Sequence, residues 1–142
     1  MRVLIDTNIV VDVLQQREPW CKAGSDIFLA VANRIITGCL TAKEITNIYY
    51  FARKQFKGEN NVDKKARSVV EKLVSLFEII DTQAVDCKNA LGIENSDYED
   101  AVMIASAERA AADCLVTRNP EHFKTSKLPI YDPEAFLKAL NK

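Results

Sequence analysis

Residues 1–8 read MRVLIDTN, and they decide the fold. Val3, Leu4 and Ile5 form an unbroken apolar run, the pattern of a strand buried on both faces rather than one alternating between core and water. The run ends on Asp6, a carboxylate that burial would strand at high cost unless backbone donors or a cation compensate it. Two readings of Asp6 therefore stand side by side: a cap for a helix that follows, with Thr7 and Asn8 as rival caps, or one ligand of a bound ion.

Outward from this strand the chain alternates. Asn8–Leu14 predicts a short helix that stops before Pro19, and Lys22–Asn33 has the helical spacing of Ile27, Phe28, Val31 and Ala32. Ile35–Leu40 is β-rich and leads into Thr41, an N-cap for a helix over Ala42–Phe56. KGENN, residues 57–61, is a polar break. Val62–Leu76 predicts an amphipathic helix, Phe77–Ile80 a strand, and Thr82–Leu91 a helix ending near Gly92. Ser96 with Glu99 three residues on forms a capping box for a helix to about Ala112. Cys114–Thr117 and Pro129–Tyr131 predict strands, with Pro133 placed to start a last helix. Alternation of this kind predicts an α/β fold, a three-layer α/β/α arrangement around a mostly parallel sheet, in one domain over residues 1–142.

The bulk properties exclude several functions. With 48% hydrophobic and 27% charged residues the composition is that of a soluble globular chain. No run of about 18 apolar residues indicates a membrane span, and no basic-then-apolar leader is present, so a cytoplasmic location is expected. A net charge of −1 provides no global field for nucleic acid, which leaves room for a local basic rim only. Cys21, Cys39, Cys87 and Cys114 include no C-x-x-C pair and predict buried reduced thiols. Neither G-x-x-x-x-G-K-[ST] nor G-x-G-x-x-G occurs, the lone His122 builds no Ser/His/Asp motif, and the DTN segment lacks the D-x-D of an aspartyl-phosphate enzyme.

In an open parallel sheet, ligands bind beyond the carboxyl ends of the strands. Asp6 lies at one such end, Glu44 starts the helix after the second strand, and Asp97 and Asp100 are three positions apart at the start of another helix. Asp6, Glu44 and Asp97 each have a bland role, since carboxylates favour helix N-termini, whereas Asp100 runs straight into the apolar AVMIASA and is harder to dismiss. Together the four have no such role. Two carboxylates about 5 Å apart repel by roughly 3 kcal/mol at an effective dielectric near 20, and Arg118 is the one base expected beside these segments. An oxygen-only set without histidine or thiolate matches Mg²⁺ or Mn²⁺, and such an ion supports metal-dependent phosphodiester hydrolysis.

The segments LIDTNIVVDVL (4–14), TAKEITNIYY (41–50), SDYEDAVMIASA (96–107), CLVTRNPEHF (114–123) and YDPEAFLKAL (131–140) together resemble the PIN-domain family. The resemblance is closest to VapC-type toxin ribonucleases of type II toxin–antitoxin systems. It implies a Mg²⁺- or Mn²⁺-dependent endoribonuclease with Asp6, Glu44 and Asp100 as catalytic acids, and Asp97 as an additional metal-site acid. Thr7, Asn8, Thr117 and Asn119 would orient ligands or metal waters. Asn119 falls where many members carry a fourth acid, so a single ion is implied. The expected RNA contacts are Arg17, Arg53, Lys54, Lys57 and Arg118. An antitoxin partner is also implied, and the apolar helix around Ile45, Ile48, Tyr49 and Tyr50 offers part of a groove or a homodimer face, with core packing the expected place of most of these side chains. The alternative is a catalytically degenerate module of the same fold that binds RNA or a protein partner.

Overall fold

A computed structural model describes residues 1–95 and 97–142. The apolar run forms β1 (Arg2–Ile5), the central strand of a sheet that also contains β2 (Thr37–Thr41), β3 (Glu78–Ile80), β4 (Cys114–Val116) and β5 (Ile130–Tyr131). The order is β3-β2-β1-β4-β5 and every pairing is parallel. Val3 stands opposite Gly38 on one side and Cys114 on the other.

The continuous apolar run is explained by burial on both faces. Val3 and Ile5 join Ile9, Ile27, Leu40 and Phe136 in one core cluster, whereas Leu4 joins Cys39, Ile104, Leu115 and Phe123 in another. All three side chains of the run are fully buried, and each contributes about 1.5–3 kcal/mol by leaving water. Helices α1 (Thr7–Leu14), α2 (Cys21–Ala32), α3 (Ala42–Gln55), α4 (Val62–Leu76), α5 (Ala84–Ala90), α6 (Tyr98–Arg109) and α7 (Pro133–Leu140) complete the layers. Among the described residues no helix is long and apolar enough to cross a membrane.

The expected elements are present, with differences that have local causes. The PEHF segment forms a 3-10 turn at Pro120–Phe123, which drives Phe123 into the core at the end of a polar segment. Helix α6 ends at Arg109 rather than near Ala112, because Ala111 takes a left-handed φ of 56° that no helix can continue through. Strand β2 starts at Thr37, after a left-handed turn at Arg34. The capping role expected of Ser96 lies outside the described residues; Asp97 is an N-cap of α6, its carboxylate accepting from Asp100 N at 3.2 Å. The four cysteines are free, but only Cys39 and Cys114 are buried; Cys87 is exposed because its helix packs through Asp86 and Ala90 instead.

Two close contacts fix the layers. A methyl group on Gly38 would stand 2.6 Å from Val31 Cγ2 and 2.8 Å from the Phe77 ring, so only glycine lets these core side chains lie against β2. On the opposite face, the buried Asp86 of α5 receives Arg109 Nε of α6 at 2.8 Å and Nη2 at 3.1 Å, and Ser106 Oγ at 3.1 Å.

Candidate active site

The strand order reverses between β1 and β4, so the connections leave the sheet on opposite sides there and open a crevice at the carboxyl edge. Asp6 is the first residue beyond β1 at that point. It occupies the N-cap position of α1 yet its side chain makes no cap hydrogen bond. Instead Thr117 Oγ1, just beyond β4, donates to Asp6 Oδ2 at 2.7 Å. Helix capping therefore does not account for the carboxylate.

Glu44 enters from the first turn of α3, where Thr41 and Glu44 form a reciprocal capping box. Glu44 N donates to Thr41 Oγ1 at 3.2 Å, and Thr41 N donates to Glu44 Oε1 at 2.9 Å. Thr7 Oγ1 donates to Glu44 Oε2 at 3.1 Å. The carboxylate is thus fully buried but oriented from two sides. Asp100 enters from the first turn of α6 and is half-buried.

Asp6, Glu44 and Asp100 line one cleft of 370 Å³, and their electrostatics are coupled. Burial, then the neighbouring Asp6 charge, pushes the Glu44 carboxyl up to about 8. Burial, then Asp97 and Asp6, pushes Asp100 up to about 6. Asp6 is raised by burial against the opposing Thr117 hydrogen bond. Three carboxyl groups that resist ionisation together, from an oxygen-only donor set, have the chemistry of a hard divalent cation site. Among the described residues no three acidic, histidine or cysteine side chains stand as close as ligands of one ion.

The remaining expected residues are placed as follows. Asp97 is exposed, is not among the residues lining the cleft, and acts on Asp100 through its charge and its cap. Thr7 serves Glu44 and Thr117 serves Asp6. Asn119 N donates to Thr117 Oγ1 at 3.1 Å, which holds that hydroxyl toward Asp6. Asn8 Oδ1 lies 3.5 Å from Arg118 N. Of the five basic candidates Lys54 lines the cleft, whereas Arg17, Arg53, Lys57 and Arg118 do not. Arg53 turns to the Tyr49 hydroxyl.

Arg118 is committed inward. Its Nε stands 2.6 Å from Asp12 Oδ2, and its guanidinium lies 4.1 Å from the centroid of the Trp20 ring. Asp12 is 1% exposed, with Arg17 Nη1 a further 3.9 Å away. Sequence reasoning missed this pair because its partners are more than a hundred positions apart. It also missed Lys43, Asn47 and Phe51, which line the cleft from α3. Arg118 thus does not line the cleft, although its charge still favours the ionised form of Asp6; Lys43 does line it and pairs with Glu99 at 3.3 Å.

The fold and the acidic crevice define a class, and sequence comparison agrees with it. A family model described as PIN domain matches residues 2–121, and the chain belongs to the PIN-domain family, a nuclease superfamily. Among solved structures it is similar to FitAB bound to a DNA fragment, at a TM-score of 0.72 and 13% identity, over 92% of this chain and 94% of that one. It is also similar to DNA-bound VapBC from Salmonella typhimurium (TM-score 0.66, 18% identity, 94% and 98% covered). A third is VapC20 from Mycobacterium tuberculosis, a Sarcin-Ricin loop cleaving toxin (TM-score 0.59, 7% identity, 80% and 86% covered). No curated protein matches the sequence.

Proposed function

We propose that this chain is a Mg²⁺- or Mn²⁺-dependent endoribonuclease, the toxin of a VapBC-like pair. The observation that supports it most is the meeting of Asp6, Glu44 and Asp100, from three separate elements, in one cleft at the strand-order reversal. A structural purpose would have placed cationic partners against these acids, as Arg109 stands against Asp86.

Asp6, Glu44 and Asp100 are the residues that would hold the ion, with Asp97 adding negative charge from the rim. A divalent cation there supplies neutralisation of a phosphate oxygen and a lowered pKa for the attacking water. The protein's own contribution is orientation. Thr117 orients Asp6, while Thr7 and the Thr41 backbone orient Glu44, so two of the three carboxylates are aimed by the chain's own donors. Hydrolysis adds water across one P–O bond of the RNA and leaves a phosphate monoester and a free hydroxyl. A protein partner that covers the cleft, of the antitoxin kind, follows from this reading.

The test is cleavage of a mixed RNA pool in Mg²⁺, in Mn²⁺ and in EDTA, with Asp6→Asn as control. Cutting in metal that disappears in EDTA and in the variant is expected. A folded protein that neither cuts RNA nor binds either metal overturns the hydrolase reading in favour of a degenerate scaffold, for which Asn119 in place of a fourth acid is the favouring feature.

A further inference from the structure

We propose that one stripe of α3, formed by Lys43, Asn47, Tyr50, Phe51 and Lys54, is a track for a single strand of nucleic acid leading away from the acidic crevice; this rests on the nuclease reading above. These residues follow one another at spacings of four, three, one and three, which places them on a single helical face. All five line the same cleft as Asp6, Glu44 and Asp100. The stripe rises about 16 Å from Lys43 to Lys54, a length that spans a few nucleotides and cannot serve the reacting phosphate alone.

Its chemistry is that of a strand rather than of a core. Tyr50 is 62% exposed and Phe51 is 36% exposed, although α3 buries Ile48 and Ala52 a position or two away. Exposed aromatic rings between two cations match the alternation of bases and phosphates in an unpaired strand, where bases stack on rings and lysines follow the backbone. Lys54 Nζ lies 5.9 Å from the Phe51 ring centroid, so cation and ring form one unit at the far end. At the near end Lys43 is held by Glu99 from across the cleft at 3.3 Å. Glu99 is exposed and Lys43 half-buried, so the pair is reached by water and weak, and a phosphate displaces Glu99 readily. Glu99 is then a competitor for the entering strand, which sets a direction for its removal opposite to that of the other residues.

The experiment is fluorescence anisotropy of a fluorescein-labelled single-stranded RNA dodecamer in EDTA, where no cutting confounds binding. A duplex of the same length is the comparison. The wild-type chain should prefer the single strand. Tyr50→Ala with Phe51→Ala should weaken binding at least tenfold. Lys54→Ala should reduce the salt slope by about 0.7, and Glu99→Gln should tighten binding, a gain that damage to the fold does not produce. Melting curves within a few degrees of wild type are expected, because every substituted side chain is surface-accessible. Unchanged affinity in the aromatic and lysine variants overturns the track even if the protein cuts RNA, and marks this wall as a seat for a protein partner. Failure of the wild type to bind the strand overturns it equally. Binding that follows these residues in a protein that never cuts in Mg²⁺ supports the track and removes the hydrolase instead.

Discussion

Thr117 donates to Asp6 Oδ2 at 2.7 Å and accepts from Asn119 N at 3.1 Å, so one buried hydroxyl carries the orientation of the first acid. Thr117→Val keeps the shape and removes both bonds. Groups that orient metal ligands are worth about 10- to 100-fold in metal affinity, so a calorimetric titration should show Mg²⁺ binding weakened by that factor with little change in melting temperature. Equal affinity would mean that Asp6 needs no orienting partner. Asp6 itself was legible in the sequence because an apolar run ending on a carboxylate has few satisfactory explanations. Asp12 was not, since α1 hides it among Val11 and Val13 and its partner Arg118 is known only from the fold. Lys43 was hidden differently: its neighbour Glu44 drew the functional reading, while the turn that aims Lys43 into the cleft is visible only once α3 is placed.

At the scale of elements, the buried Asp86–Arg109 pair joins α5 to α6 and so holds the helix that presents Asp100. Burial alone would raise the Asp86 carboxyl, but the Arg109 fork, Gln83 N and Ser106 Oγ outweigh it and hold the group below the usual carboxylate range. Arg109→Ala leaves that carboxylate buried without its cation, at a cost of about 3–5 kcal/mol, to be read as a lowered urea midpoint with an unchanged slope. Because the folded-state pKa is depressed, the pair's contribution is present above the ordinary carboxylate pKa and is lost as pH falls through the folded value. The variant's deficit should therefore shrink in acid. Most elements were legible: the 3.6-residue period of Val62–Leu76 gave α4 with both ends, and Thr41 announced α3. The spacing of Thr41 and Glu44 also carried a capping-box signature, which a reading that took Glu44 as a ligand passed over; the structure gives that side chain the cap and a place in the cleft at once. The end of α6 was not legible, because alanine at 111 carries no sequence signal for a left-handed φ.

For the molecule as a whole, the acidic crevice sets an opposite pH dependence, and the two can be separated. Glu44, raised to about 8, and Asp100, raised to about 6, bind protons in the folded protein that the unfolded chain has already released. Their contribution is complete below the ordinary carboxylate pKa and is lost as pH rises through the folded values. In EDTA the melting temperature should therefore fall between about pH 4.5 and pH 8. Asp100→Asn should flatten the lower part of that fall and Glu44→Gln the upper part. The same linkage predicts what Mg²⁺ does. Ligands must shed their protons to hold a cation, so titration with Mg²⁺ at pH 7 should release protons, seen as a heat that scales with the ionisation enthalpy of the buffer, and should remove the alkaline loss of stability. Proton release that persists in Glu44→Gln and Asp100→Asn would place the cation elsewhere; its loss in both would tie the charge imbalance of the free crevice to the ion that resolves it.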